Sequence, residues 1–351
     1  MKIAPIVRAL YQHDRLQYKI IHTGQHYDRE MNEVIFEDLG IPTPEVFMGA
    51  GGGSHAEQTA KIMLGFEQLC TTERPDAVLV VGDVNSTLAC SIVAKKMHIP
   101  VAHVEAGLRS GDMTMPEEIN RMVTDAITDW FFVTEPSGVE NLLREGHDPK
   151  AVHHVGHVMV DNVLYQRDRL SHVDTAQFET NKFKSQHATY GVVTLHRPSN
   201  VDDAATFNGI ACALRSIAET LPLIFPVHPR TRANLDKFGI DLGPNVTLTG
   251  PLAYMEFLDL WKDSAVVLTD SGGLQEETTA LGVPCLTLRE NTERPITVEE
   301  GTNVVVGVAP DNIVRAYSEI KHDSSPKARC PDLWDGKAAE RIVAIMAREL
   351  I

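Results

Sequence analysis

Positive charge is scarce in this chain. Lys and Arg number 32 against 48 Asp and Glu, a formal net charge of −16. Such a field repels a phosphate-rich polymer, which argues against nucleic acid as a partner. It does not exclude a small anionic ligand, because a local cluster of Arg, His and helix N-termini overrules the global charge. Long apolar runs are missing too. None approaches the roughly 18 residues that a membrane span needs, and the N-terminus has no signal-peptide pattern. A cytoplasmic protein with no membrane partner is expected. Cysteine is sparse: Cys70, Cys90, Cys212, Cys285 and Cys330 are odd in number, and none stands in C-x-x-C spacing. That reads as reduced, mostly buried thiols. There is no short-period repeat and no low-complexity tract, and the aromatics, 6% of residues, are scattered as core residues are.

What is present is a rhythm. With 351 residues, 43% hydrophobic and 23% charged, the chain has apolar material for two globular cores. Short apolar runs alternate with amphipathic stretches. Tyr18–His22, Ala77–Val81, Val101–Val104 and Trp130–Thr134 read as strands. Helical patterns lie between them at His55–Cys70, Ser86–Met97 and Glu117–Thr128. The run Gly51-Gly52-Gly53-Ser54 reads as a loop leading into a helix N-terminus. The rhythm then restarts, with strands at Gly191–Leu195, Leu223–Val227, Val246–Leu248, Ala265–Thr269 and Cys285–Leu288. Helical patterns accompany them at Ala205–Thr220, Tyr254–Lys262 and Gly273–Leu281. Strands apolar on both faces and alternating with helices predict parallel sheets covered on both sides. The expected fold is α/β, with two doubly wound, Rossmann-like domains at 1–165 and 186–330. The polar stretch near Asp168–Gln186 is the expected crossover. A last amphipathic helix, within 336–351, carries Ile342, Ile345, Met346 and Leu350 on one side. In such domains ligands bind beyond the carboxyl ends of strands, here in an expected cleft between two sheets.

The polar motifs fall after strands. Val81-Gly82-Asp83-Val84-Asn85-Ser86-Thr87 follows the second strand and opens a helix; an N-cap turn is the plainer explanation. His103-Val104-Glu105-Ala106-Gly107-Leu108-Arg109 ends the third strand, where a Glu105–Arg109 ion pair is the plainer explanation. Met115-Pro116-Glu117-Glu118-Ile119-Asn120-Arg121 opens a helix, and acids there also complement the helix dipole. Three carboxylates, Asp83, Glu105 and Glu117, converging on one cleft suit general acid–base work. They are too separated in sequence to make a metal motif. In the second half, His196-Arg197-Pro198-Ser199-Asn200 and His228-Pro229-Arg230 each follow a strand and suit an anionic ligand. Asp270-Ser271-Gly272-Gly273 precedes a helix whose N–H groups suit a diphosphate, and Glu277, one turn in, suits ribose hydroxyls. Leu288-Arg289-Glu290-Asn291-Thr292-Glu293-Arg294 adds two arginines on a polar loop. The cluster His153-His154-x-x-His157 lies in a strand-like stretch whose alternation turns neighbouring rings apart, so no zinc site is expected.

Taken in order, GDVNST, HVEAGLRSGD, PEEINR, HRPSN, HPRTR, DSGGLQEE and LRENTERP resemble the motifs of the non-hydrolysing UDP-N-acetylglucosamine 2-epimerases, over nearly the whole chain. The resemblance implies a GT-B fold, with a UDP-binding second domain and a C-terminal helix returning to the first. It implies no cofactor, and a homodimer. The implied reaction is reversible inversion at C2 of UDP-N-acetylglucosamine, by anti elimination of UDP and re-addition through a 2-acetamidoglucal, serving a cell-surface polysaccharide. By the same resemblance Asp83, Glu105 and Glu117 serve proton transfer and its support, and His196 sits near the diphosphate. Ser271, Gly272, Gly273 and Glu277 match the UDP site, and Lys2 matches a lysine of the family's N-terminal motif. Arg109, Arg121, Arg197, Asn200, His228, Arg230 and Arg294 complete the expected binding set.

Two departures stand out. Family chains open with a strand and a Gly-Thr-Arg-Pro-Glu turn before the helix that holds Lys2; this sequence begins inside that helix, at Met1-Lys2-Ile3. A first strand is central in a doubly wound sheet, so its loss is expected to bare neighbouring strand edges. It is also expected to mean a start placed too far downstream or a truncated, weakened enzyme. Gln25-His26 match an effector site of some bacterial members, but Tyr27-Asp28-Arg29-Glu30 diverge, so control by a second substrate molecule is not expected. The alternatives are a UDP-diacetamido-uronic acid 2-epimerase, a GT-B glycosyltransferase and an inactive UDP-sugar-binding protein.

Overall fold

The computed structural model describes residues 1–25, 36, 39–322 and 330–351; His26 to Glu30 therefore lie outside the described residues. The chain divides into two compact units. The first comprises Met1–Asn162 with Asp332–Ile351, and the second Val163–Pro331.

In the second unit six strands form one parallel sheet. They are β7 (Gly191–Thr194), β8 (Leu223–Pro226), β9 (Val246–Thr249), β10 (Val266–Thr269), β11 (Cys285–Thr287) and β12 (Asn303–Val305). Their spatial order is β12-β11-β10-β7-β8-β9. Relabelled in sequence order this is the doubly wound 3-2-1-4-5-6 arrangement, whose switch point lies between β7 and β10. The inner strands β7, β8, β10 and β11 are buried on both faces because each face has its own helical cover. Val193, Phe225 and Leu268 pack with Phe207, Ile210 and Leu214 of the helix Ala204–Ala218. Val192, Ile224 and Val267 pack on the other face with Leu258 and Trp261 of the helix Tyr254–Trp261 and with Leu274. Burial of each such side chain contributes about 1.5–3 kcal/mol.

The first unit carries β1 (Ile21–His22), β2 (Val46–Phe47), β3 (Val78–Val81), β4 (Val101–Val104), β5 (Trp130–Val133) and β6 (Val152–His154). All pairings are parallel, but they fall into two sheets, β1-β2 and β3-β4-β5-β6. Among the described residues no ladder joins β1 to β3. The helix Ala338–Leu350 belongs to this unit: Ala338, Ala339, Ile342 and Met346 cluster with Ile6, Ala102, Val104 and Phe132. Among the described residues no helix is long and apolar enough to cross a membrane. Cys70, Cys90 and Cys285 are buried, whereas Cys212 and Cys330 are exposed.

The strands β2 and β12 escaped the sequence reading. At two and three residues, with Phe47 and Val304 exposed, they offer too short a pattern to distinguish from loop. His157 has a structural use: its ring meets Trp334 edge-on at 5.3 Å, and its Nδ1 accepts the Met159 N–H at 3.1 Å.

The last helix is tied to the first unit at its N-terminus by a buried carboxylate. Asp161 accepts the N–H groups of Ala338 (3.1 Å) and Ala339 (2.7 Å), two donors that no helical carbonyl can satisfy. Asp161→Ala is expected to destabilise the docked helix by about 1–3 kcal/mol. Hydrogen exchange should then quicken across Ala338–Leu350 while the second unit keeps its protection.

Candidate functional site

In the first unit the polar groups begin where β3 and β4 end. Gly82, at φ +74°, turns the chain out of β3 and presents Asp83. A Cβ at Gly82 would lie 3.3 Å from Lys2 Nζ and 3.8 Å from Glu105 Oε2, contacts a flexible lysine can relieve; the left-handed φ is what calls for glycine here. Glu105 follows β4 in a left-handed conformation, φ +70°, which costs a non-glycine residue about 1–3 kcal/mol. Its side chain is 2% exposed and pairs with Lys2 Nζ at 2.5 Å. Lys2 reaches it from just before the helix Ile3–Tyr11. The turn beyond is pressed against the helix Pro136–Arg144: a Cβ at Gly107 would meet the Gly138 carbonyl oxygen at 2.3 Å.

Asp83 is gripped from the helix Pro116–Ala126. Arg121 donates to Asp83 Oδ2 from Nε (3.1 Å) and Nη2 (2.8 Å), and pairs through Nη1 with Glu118. Glu118 in turn accepts the N–H groups of Ser110 (3.0 Å) and Gly111 (2.9 Å). Burial pushes its pKa up, but those N–H groups and Arg121 bring it below the ordinary value. Glu117, one residue earlier in the helix's first turn, is half-buried and enters none of these bonds. Below the two strand ends lies a buried network. Asp125 receives His103 Nδ1 (2.7 Å), the Gly107 N–H (3.0 Å) and Arg109 Nη1 (2.7 Å), while Arg109 also holds Glu145 with Nε (2.9 Å) and Nη2 (2.7 Å).

In the second unit the groups gather at the switch point. Asp270, fully buried at the end of β10, accepts the backbone N–H of His196 and that of Arg197 (3.0 Å) beyond β7, and Asn200 Nδ2 at 3.2 Å. Its Oδ1 lies 3.0 Å from His196 Nδ1, which leaves the ring's Nε2 on the exposed side. Beside it, Ser271 makes no capping bond with its side chain, and the helix Gly272–Leu281 begins with N–H groups and two glycines, a ready anion site. Glu277, buried one turn in, accepts from Tyr254 Oη at 3.1 Å. Burial raises its pKa to about 7; the Tyr254 bond lowers it and neighbouring Glu276 raises it.

Several expected ligands turn out to be engaged by the protein itself. Glu105 pairs with Lys2 and not with Arg109, because Arg109 is drawn to Asp125 and Glu145. Arg121 is taken by Asp83 and Glu118, Arg230 by Asp202, and Arg294 by Glu276. Asn200 supports the loop by donating to Asp270 and to the Leu288 carbonyl (2.8 Å). His228 caps its own helix, Nδ1 accepting the Arg230 N–H at 3.2 Å. Of the expected anion-binding set, His196, Ser271, Gly272 and Gly273 remain at the surface around one helix N-terminus, with Arg197 beside them through its Nε bond to the Asp270 carbonyl at 3.0 Å. Sequence reasoning missed Asp270, Glu118, Asp125, His103 and Tyr254 as members of these arrays. His103 did leave a signal: it is the one polar residue in a four-residue strand otherwise apolar throughout, and a buried polar group needs a partner.

Comparison with known proteins places the chain in a family. Residues 8–347 match the family model described as UDP-N-acetylglucosamine 2-epimerase. The chain is 40% identical, over 99% of its length and 95% of the relative's, to a UDP-N-acetylglucosamine 2-epimerase of Methanocaldococcus jannaschii. It is also 40% identical, over 90% of its length and 87% of the relative's, to a UDP-2,3-diacetamido-2,3-dideoxy-D-glucuronate 2-epimerase of Pseudomonas aeruginosa. A crystal structure of M. jannaschii UDP-GlcNAc 2-epimerase in complex with UDP-GlcNAc and UDP superposes with a TM-score of 0.87 at 39% identity, covering 99% of this chain and 96% of that one. The two α/β units are thus of the GT-B type.

The Glu277 carboxyl supplies a test. Its folded-state pKa of about 7 lies above the ordinary 4.5, so its contribution to stability is present below pH 4.5 and is lost as pH rises through 7. The loss is on the order of 3 kcal/mol. Glu277→Gln should flatten the fall in the second unit's stability between pH 5 and 8, and should leave the variant the more stable protein at pH 8. Thermal unfolding at both pH values checks this; an unchanged pH slope contradicts it.

Proposed function

The chain belongs to the UDP-N-acetylglucosamine 2-epimerase family, and from that premise we propose that it interconverts UDP-N-acetylglucosamine and UDP-N-acetylmannosamine by inversion at C2. Two arrays, each within its own unit, carry the reading: Asp83 and Glu105 at neighbouring strand ends with Glu117 in the first turn of the helix Pro116–Ala126, and an uncapped helix N-terminus with His196 and Glu277. The C2 proton is weakly acidic, so a positioned carboxylate must take it while the departing diphosphate is stabilised. Asp83, Glu105 and Glu117 provide the proton transfers at C2 and their support. Arg121 and Lys2 fix the first two and keep their charges compensated. UDP leaves anti to the proton, giving a 2-acetamidoglucal, and returns as a proton is delivered to the opposite face. The N–H groups at Gly272 and Gly273, with His196 held by Asp270, receive the diphosphate; Glu277 with Tyr254 receives the ribose. No cofactor takes part. The working protein is a cytoplasmic homodimer serving a cell-surface polysaccharide.

A second reading, the diacetamido-glucuronate reaction, is favoured by the equally identical Pseudomonas relative. A uronic acid needs a spare cation for its carboxylate. Lys2 and Arg121, the cations beside the three acids, are each neutralised by a glutamate or aspartate already. That supports the uncharged N-acetylglucosamine ring.

Proton NMR in deuterated water decides the matter. UDP-N-acetylglucosamine should give UDP-N-acetylmannosamine carrying deuterium at C2. Asp83→Asn, Glu105→Gln and Glu117→Gln should each slow the exchange about 10²- to 10⁴-fold while UDP still binds by calorimetry. No exchange and no product from the unaltered protein would end the epimerase reading, and turnover of the diacetamido-glucuronate alone would install the second.

A further inference from the structure

We propose that His103 is a positioning residue for all three acids, a permanently protonated imidazole that locks together the three elements carrying them. The inference rests on the epimerase reading for its effect on rate, and on geometry for the rest. The ring is fully buried in β4. Its Nδ1 lies 2.7 Å from Asp125 Oδ1 and its Nε2 2.9 Å from the Gly82 carbonyl oxygen. A carbonyl can only accept, so Nε2 carries a hydrogen. Asp125 Oδ2 already receives the Gly107 N–H at 3.0 Å and Arg109 Nη1 at 2.7 Å, which holds that group as a carboxylate, so Nδ1 carries a hydrogen as well. The ring is therefore an imidazolium with no lone pair to offer. It cannot shuttle protons.

The charged groups around the ring are consistent with this state. Asp125 faces it from the helix Pro116–Ala126, with Arg109 behind; Glu105 approaches from the loop after its own strand, paired with Lys2. Burial opposes the charge, yet Asp125, the Gly82 carbonyl and Glu105 together hold the imidazole's pKa above its ordinary value. The same contacts hold Asp125 below its own, against the burial that would raise it.

What the ring joins gives it a function. Gly82 immediately precedes Asp83. His103 itself stands two residues before Glu105, in the strand that delivers that strained turn. Asp125 sits on the helix whose first turn carries Glu117 and whose Arg121 grips Asp83. One imidazolium thus sets the spacing of the three acids that the epimerase reading assigns to proton transfer at C2. Displacing such groups by about 1 Å costs on the order of 100-fold in rate.

Histidine ring 15N spectra of the unaltered protein should show both nitrogens of His103 protonated at pH 7; a bare nitrogen there overturns the proposal. His103→Gln should lower kcat for C2 exchange about 100-fold with KM and UDP affinity within twofold. A kcat within twofold of the unaltered protein overturns it. Should that variant not fold, Asp125→Asn keeps the shape and carries the test. Without the carboxylate charge the ring should show one bare nitrogen at pH 7, and kcat should be lowered with it; a doubly protonated ring with an unchanged kcat overturns the proposal. Failure of the epimerase reading looks different, since the unaltered protein then exchanges no C2 proton whatever the state of the ring.

Discussion

Strands buried on both faces leave polar side chains without a buried partner one place to go, the carboxyl ends where the chain leaves the sheet. In the second unit, Val192 and Val193 point to opposite faces and both are fully buried; the same holds for Val267 and Leu268. Chemistry therefore begins at the residue after the strand. Because β7 and β10 are neighbours, the loops after them meet, and Asp270 can gather His196, Arg197 and Asn200. In the first unit the pairing of β3 with β4 brings Asp83 beside Glu105 by the same rule. The arrays are consequences of parallel register.

Once such groups are buried, they must be paired. Removing one partner of a buried ion pair leaves an uncompensated charge, at about 3–5 kcal/mol. The chain meets this with matched sets: Lys2 with Glu105, Arg121 with Asp83 and Glu118, Arg109 with Asp125 and Glu145, and Arg294 with Glu276. Most arginines at these strand ends are consequently engaged with the protein's own acids. The anion site proposed for the second unit rests on backbone N–H groups at Gly272 and Gly273 and on His196, which need no surplus cation. An acidic protein can hold a diphosphate in this way.

Much of this was legible in the residues. Nine strands and seven helices follow from apolar runs bounded by turn residues, each within three residues of its observed limits, whereas the helices Pro136–Arg144, Val158–Leu170, Pro229–Phe238 and Pro310–His322 were not read. The strand-end motifs name the loops where Asp83, Glu105, His196 and Ser271 stand. The pairings were not legible. Glu105 finds Lys2, 103 positions away, while the nearer Arg109 turns to Asp125. Asp270 was quoted within its motif without its role, because nothing local says that the loop beyond β7 will donate to it.

The sequence by itself determined the α/β alternation, the two sheets' worth of apolar strands, the family and the identity of the polar residues at the strand ends. Those follow from periodicity and local turn chemistry, which act over a few residues. Only the tertiary structure decided which acid meets which cation, that His103 is enclosed between two acceptors, and that Arg109 and Arg230 pair with acids of their own units. Such choices depend on distances between segments far apart in the chain, and parallel pairing and burial set those distances.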